Sequence, residues 1–128
     1  MITVLAVGAG GFLGSVVRYL ANRGVYQVVE TAWLPYGTLL VNVVGCLAIG
    51  VLSGAAEKWG VLNTDNPTRA FLLIGFLGGF TTFSAFGNET VAFLRGGQVL
   101  QAFANVGLQL ILGLGAVWLG YRLALLSS

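Results

Sequence analysis

The sequence lacks histidine altogether, and it has a single cysteine among its 128 residues. Without histidine, no nucleophile–base pair of the usual kind can be proposed. The lone Cys46 forms neither an intrachain disulfide nor a cysteine–histidine metal cluster. We therefore expect no enzyme activity. Six basic residues against four acidic ones give a net charge of +2, an excess too small to predict a nucleic-acid partner.

The composition contains a large excess of apolar residues instead. Hydrophobic residues make up 57 % of the chain and charged residues 8 %, and the mean hydropathy is +0.91. Average soluble domains carry about 25 % charged residues, so we expect an all-α membrane protein. The apolar runs predict four transmembrane helices, at about residues 2–21, 33–56, 68–94 and 99–123. They form a single transmembrane domain over residues 1–128.

The third predicted span contains the most unusual stretch, GFLGGFTTFSAF at residues 75–86. Gly78-Gly79 and the β-branched pair Thr81-Thr82 both weaken a helix, so we expect the third helix to be broken at its centre. Phe80, Phe83 and Phe86 recur every third residue and would share one helical face. Two interpretations stay open. The stretch is a kinked helix with an aromatic packing stripe, or it is a broken helix that carries a permeation site.

Polar side chains occur in the apolar spans at helical spacing. Thr38 and Asn42 are four residues apart in the second span, and Asn105 and Gln109 are four apart in the fourth. The third span adds Thr81, Thr82, Ser84 and Glu89. A polar group facing lipid is costly, so these side chains form interhelical hydrogen bonds or line a polar pathway.

The arrangement of small and basic residues bears on assembly. Glycines four apart, at Gly10/Gly14 and Gly50/Gly54, allow another helix to approach closely. With four spans, Lys58, Arg69 and Arg122 lie on one side of the membrane, and Arg18, Arg23 and Arg95 lie on the other. This three-to-three distribution gives no positive-inside bias. It predicts a dual-topology, antiparallel homodimer. Arg18 either snorkels to the interface or is buried and bonds to a neighbouring carbonyl.

Three functional classes follow from these residues. A proton-coupled exporter of cations, of the small multidrug type, needs a carboxylate at the membrane centre, whereas Glu89 lies toward the end of its span. A purely structural subunit leaves the intramembrane amides and hydroxyls without a purpose. A passive pore for a small anion uses neutral amide and hydroxyl donors and the positive edges of phenyl rings. The residues favour the pore, and they do not choose the anion.

Three motifs carry a resemblance to a known family. GGxxGxxxRY begins at Gly10, GTLLVNxxG begins at Gly37, and GFLGGFTTFS begins at Gly75. In these motifs the chain resembles the CrcB/Fluc fluoride channel family. The resemblance implies an antiparallel dimer with two separate fluoride pathways and passive export of fluoride, which relieves fluoride toxicity. It also implies a multi-pass position among the lipids of the bacterial plasma (inner) membrane.

The resemblance also implies roles for individual residues. The backbone carbonyls of Gly75 and Gly78 would hold a structural sodium ion at the dimer centre. Phe80, Phe83 and Asn42 match pore-lining positions, Thr81, Thr82 and Ser84 match a hydroxyl-bearing stretch, and Glu89 matches an acidic position. Arg18 matches an arginine for which we expect a structural role. The chain departs from the family pattern at Asn105 and Gln109, where a tyrosine and a serine are common.

Overall fold

The computed structural model describes residues 1–29, 33–60 and 66–127. All elements in these ranges are helical: α1 (Ile2–Val28), α2 (Tyr36–Trp59), α3 (residues 67–80), α4 (Phe83–Arg95) and α5 (Val99–Leu126). Within α3, the segment Ala70–Leu77 is a π-helix flanked by the α-helical turns Pro67–Arg69 and Gly78–Phe80. Four stretches are long and apolar enough to cross a membrane, and the third of them is Pro67–Arg95. The predicted four-helix membrane architecture is confirmed at this level.

Local sequence explains where several of these helices begin and end. Gly60 ends α2 in a left-handed conformation, with φ of 61°, which glycine adopts without strain. Asn66 caps α3, because its side chain accepts a 2.8 Å hydrogen bond from the Thr68 N–H, and Pro67 occupies the first helical position. The first helix is longer than the expected 2–21. Residues 22–28, which lie outside the predicted span, complete α1.

The helices pack as two pairs, α1 with α3 and α2 with α5. Glycines make both contacts close. A methyl group added at Gly10 or Gly14 would overlap the backbone of α3, and one added at Gly50 would overlap the Val117 carbonyl on α5. The small-residue stripes that we took as support for a dimer are therefore used inside one chain. That part of the argument for a dimer is wrong, whereas the balance of basic residues is unaffected.

Large apolar side chains lie mostly on the outside of the molecule, as a lipid-facing surface requires. Phe12, Ile111 and Leu114 are each about 70 % exposed. The interior is small and partly polar: Val41 and Asn105 are the largest fully buried side chains, and Thr38 is 3 % exposed. Because lipid is as apolar as leucine, close backbone packing and polar contacts must hold these helices together.

Substituting Gly50 with alanine tests the close packing of α2 and α5. The new methyl group would press on the Val117 carbonyl and separate the helices, so we expect the free energy of unfolding to fall by about 1–3 kcal/mol. Gly107→Ala is the matched control, since no atom lies within 4 Å of an added methyl group there. Unfolding in mixed detergent micelles measures both. Equal stability of the two variants would contradict the packing described.

Candidate functional site

The third span leaves the helical conformation at two consecutive residues, Thr81 and Thr82. Their backbone is extended, with φ and ψ of −85° and 160° at Thr81 and of −151° and 109° at Thr82. We refer to these two residues as the extended pair. The Thr81 N–H and hydroxyl both donate 2.9 Å bonds to the Leu77 carbonyl and so close α3. The Thr82 hydroxyl caps α4 by accepting a 3.2 Å bond from the Ala85 N–H.

Asn42 on α2 satisfies the backbone of Thr82 on both sides. Its Oδ1 accepts a 2.8 Å hydrogen bond from the Thr82 N–H, and its Nδ2 donates a 3.2 Å bond to the Thr82 carbonyl. The same Nδ2 donates to Gln109 Oε1 on α5 at 3.1 Å. Both hydrogens of this amide therefore have protein acceptors. In hydrocarbon, a backbone that leaves the helix persists only with such partners.

Arg18 on α1 reaches the extended pair from the opposite side. Its Nη1 donates a 3.3 Å hydrogen bond to the Thr81 carbonyl, and the residue is half-buried. The carbonyls of the extended pair thus receive bonds from two different helices, one from each of the two helix pairs. Of the two alternatives stated for Arg18, the structure thus shows the second, in which the guanidinium bonds to a neighbouring carbonyl.

An open pocket of about 350 Å³ borders the extended pair. Its polar lining comes from Asn42, Thr81, Thr82 and Gln109, and Cys46 lies one helical turn beyond Asn42. Gln109 Nε2 is buried and has no acceptor within the described part of the chain. A buried amide donor without an acceptor is costly, so this group is suited to a small anion or a water molecule. Sequence reasoning missed Cys46, although its spacing from Asn42 could have indicated it.

The phenylalanines of the stretch do not share one face, which corrects the expectation from their spacing. The extended pair separates Phe80 from Phe83 and changes the direction of the side chains. Phe80 is 8 % exposed and stacks on Phe76, with ring centroids 6.0 Å apart. Phe83 is 81 % exposed and meets Phe86 edge to face at 5.4 Å. The buried ring and the exposed ring lie in different environments.

A second polar cluster lies at the middle of α4. Thr38 donates a 2.6 Å hydrogen bond to Glu89 Oε1. Asn105, which is 2 % exposed, donates a 2.9 Å bond to the Thr90 hydroxyl. The fourth-span amides therefore act separately, because Asn105 joins α5 to α4 whereas Gln109 joins α5 to α2. Ser84 is exposed, with its hydroxyl 3.3 Å from that of Thr82.

The two glycines expected to hold sodium differ in their surroundings. Gly78 is exposed and has open space beside it. Its carbonyl loses the usual helical donor, because the Thr82 N–H four residues later donates to Asn42 instead. Gly75 is buried against α1, and its carbonyl already accepts the Gly78 N–H. The Gly78 carbonyl oxygen is thus suited to act as a cation ligand. The Gly75 carbonyl oxygen would bind a cation through the lone pair that the Gly78 N–H does not use.

Replacing Asn42 with leucine tests its contact with the extended pair. The change leaves the Thr82 N–H and carbonyl without partners, and each orphaned buried group costs about 1–3 kcal/mol. We expect a clear loss of unfolding free energy and a lower thermal midpoint in detergent. Asn88→Leu is the control, because Asn88 lies on the exposed face of α4. Unchanged stability in Asn42→Leu would show that Thr82 does not depend on this amide.

Comparison with known proteins places this geometry in a family. The family model described as "CrcB-like protein, Camphor Resistance (CrcB)" matches residues 5–121. A protein of Flavobacterium psychrophilum named "Fluoride-specific ion channel FluC" is 42 % identical over 97 % of this chain and 98 % of its own. A protein of the same name from Geobacter sulfurreducens is also 42 % identical, over 97 % and 98 %. With its four apolar helices, this chain is a multi-pass integral membrane protein of the CrcB family.

Proposed function

We propose that this chain forms a fluoride-selective, uncoupled channel in the bacterial plasma membrane and relieves fluoride toxicity by passive export. The observation that carries the proposal is the extended pair, held by side chains of two other helices beside a polar pocket. Irregular backbone at membrane depth is typical of ion pathways. The names of the relatives supply the ion.

The hydrogen-bond pattern divides the roles of the polar residues. Because both hydrogens of the Asn42 amide are already used, Asn42 supports the pathway and holds Thr82 in place. The free amide donor beside it is Gln109 Nε2. The hydroxyls of Thr82 and Ser84 reorient to donate to an ion. A dehydrated fluoride ion needs several donors at once. Neutral donors also release the ion more readily than a fixed charge would.

The exposed ring of Phe83 supports assembly as a dimer. We propose that a second, antiparallel copy covers this ring and that each dimer has two separate pathways lined by Phe80 and Phe83. A ring that is 81 % exposed and also borders a polar pocket is suited to contact with a facing partner. The edges of the phenyl rings carry the positive end of the ring quadrupole and contact an anion favourably.

A structural sodium ion at the dimer centre completes the proposal. Carbonyl oxygens are hard ligands of the kind that alkali cations take. The Gly78 carbonyl, which lacks its helical donor, and the Gly75 carbonyl beside it would supply them from each copy. The bound cation would offset the cost of placing unpaired carbonyls between two chains, and it would not be transported.

Fluoride efflux from liposomes that contain the purified protein tests the function. We expect rapid fluoride release, no chloride release, and loss of most of the flux in Phe80→Ile and Phe83→Ile, because an aliphatic side chain lacks the positive ring edge. Phe12→Ile is the control, since Phe12 is 69 % exposed on α1, away from the extended pair. A fluoride-selective electrode measures release.

Changes of cation in the same assay separate the alternatives. Replacing sodium with a large organic cation should lower the flux, and no sodium should move with fluoride. Fluoride movement that requires a proton or sodium gradient would contradict the channel. Full flux in both ring variants would contradict the assignment of these two phenylalanines.

Labelling of the C-terminus in intact cells tests the antiparallel assembly. With three basic residues predicted on each side, we expect part of the population to expose a C-terminal tag outside and part inside. Lysines added to one loop should fix a single orientation and abolish flux. An oppositely biased copy should restore it. A single orientation for all copies of the unmodified chain would refute dual topology.

A further inference from the structure

Two buried oxygen atoms near the second polar cluster have no hydrogen-bond donor in the described part of the chain. They are Glu89 Oε2 and Asn22 Oδ1. Both are enclosed by residues of the same chain, so a second copy packed on the outside would not reach them. A buried acceptor without a donor costs free energy, and an ionised carboxylate costs the most. These oxygens therefore need a hydrogen-bond donor that the described side chains, as placed, do not provide.

The two oxygens belong to one neighbourhood. Thr38 donates to Glu89 Oε1 at 2.6 Å. Gly37, the residue before Thr38, packs so closely on α1 that an added methyl group would lie 2.5 Å from Asn22 Oδ1. Consecutive residues of α2 thus contact both groups, because Gly37 packs on the unpaired amide oxygen and Thr38 bonds to the carboxyl group.

Among the described residues, no lysine or arginine forms a hydrogen bond to Glu89. Its side-chain partner is the neutral Thr38 hydroxyl on α2. The adjacent Thr90 likewise bonds to a neutral group, the Asn105 amide on α5. An ionised carboxylate here would repel an anion passing the extended pair in the same helix span.

We propose that Glu89 holds a proton on Oε2 in the folded channel, with the Asn22 amide oxygen as its buried acceptor. One proton then satisfies both orphaned oxygens and leaves the neighbourhood neutral. The expected effect on conduction rests on the proposed function. Loss of the proton at alkaline pH would place a negative charge beside the fluoride pathway and lower the flux. The protonated acid positions its neighbours and removes a negative charge from beside the pathway, and it need not touch the ion.

Infrared spectroscopy in lipid measures the proton directly and does not depend on conduction. The chain has only four acidic residues, Glu30, Glu57, Asp65 and Glu89, so the carbonyl-stretch band of a protonated carboxylic acid can be assigned by substitution. We expect this band at neutral pH in the unmodified protein. It should be lost in Glu89→Gln and retained in Glu57→Gln, where the carboxylate lies at an exposed helix end and accepts the Tyr121 hydroxyl.

Thr38→Val supplies a second assignment if Glu89→Gln does not fold. Removing the hydroxyl that bonds to Oε1 should shift the band to higher frequency without abolishing it, because the carbonyl then loses a hydrogen bond. Absence of the band at neutral pH in the unmodified protein would overturn the inference. It would mean that a buried water molecule or a rotated Asn22 amide satisfies an ionised Glu89.

The pH profile of fluoride efflux tests the consequence. Fluoride is fully ionised across neutral and alkaline pH, so the transported ion does not change. We expect the flux of the unmodified protein to fall by about tenfold as Glu89 loses its proton. In Glu89→Gln, the fluoride flux at alkaline pH should be about the same as the flux at neutral pH. A profile with the same fall in Glu89→Gln would overturn the role of Glu89. No fluoride flux at any pH, with the band present, would contradict the channel and leave the proton site standing.

Discussion

The structure depends on the hydrogen bonds between Asn42 and Thr82. The side-chain amide of Asn42 replaces the backbone partners that a continuous helix would give to Thr82. Inside a membrane, a backbone N–H and carbonyl released from a helix have no water to bond to. Asn42 provides one acceptor and one donor in the same plane, as a neighbouring strand would, at 2.8 and 3.2 Å. This contact permits two extended residues within a 29-residue apolar span.

The extended pair also connects the two halves of the fold. The pair α1 and α3 reaches it through Arg18, and the pair α2 and α5 reaches it through Asn42 and Gln109. Glycine contacts hold the helices of each pair at a short distance, which fixes the depth from which these side chains extend. The polar pocket lies where the two pairs meet. The small-residue stripes thus position the polar side chains of the pocket inside one chain.

Part of this arrangement was predictable from sequence. Length and hydropathy of the apolar runs determine the number of spans, because a bilayer has a fixed thickness. A lone amide such as Asn42 in an apolar run must find a polar partner, although the sequence does not show that this partner is the Thr82 backbone. Gly10, Gly14 and Gly50 required a close neighbour, but their spacing does not say whether the neighbour belongs to the same chain. The structure shows that it does.

Other features followed from contacts that spacing cannot show. The helical-face argument for Phe80 and Phe83 fails, because two extended residues between them change the side-chain direction. Asn105 and Gln109 share a face of α5 yet bond to different helices, since the crossing of α4 and α2 decides which partner each meets. Asn22 lies outside the predicted first span, and the burial of its Oδ1 became visible only once α1 was seen to continue to Val28.

In the proposed channel, one hydrogen bond from the Thr82 N–H to Asn42 holds the ion pathway open. Replacing Thr82 with its α-hydroxy acid analogue removes this N–H and leaves every side chain intact. We predict that the ester lowers the thermal stability of the folded channel and abolishes fluoride flux. We also predict that Asn42→Leu then adds much less damage than it does in the unmodified backbone. An ester variant with unchanged stability and unchanged flux would contradict the account.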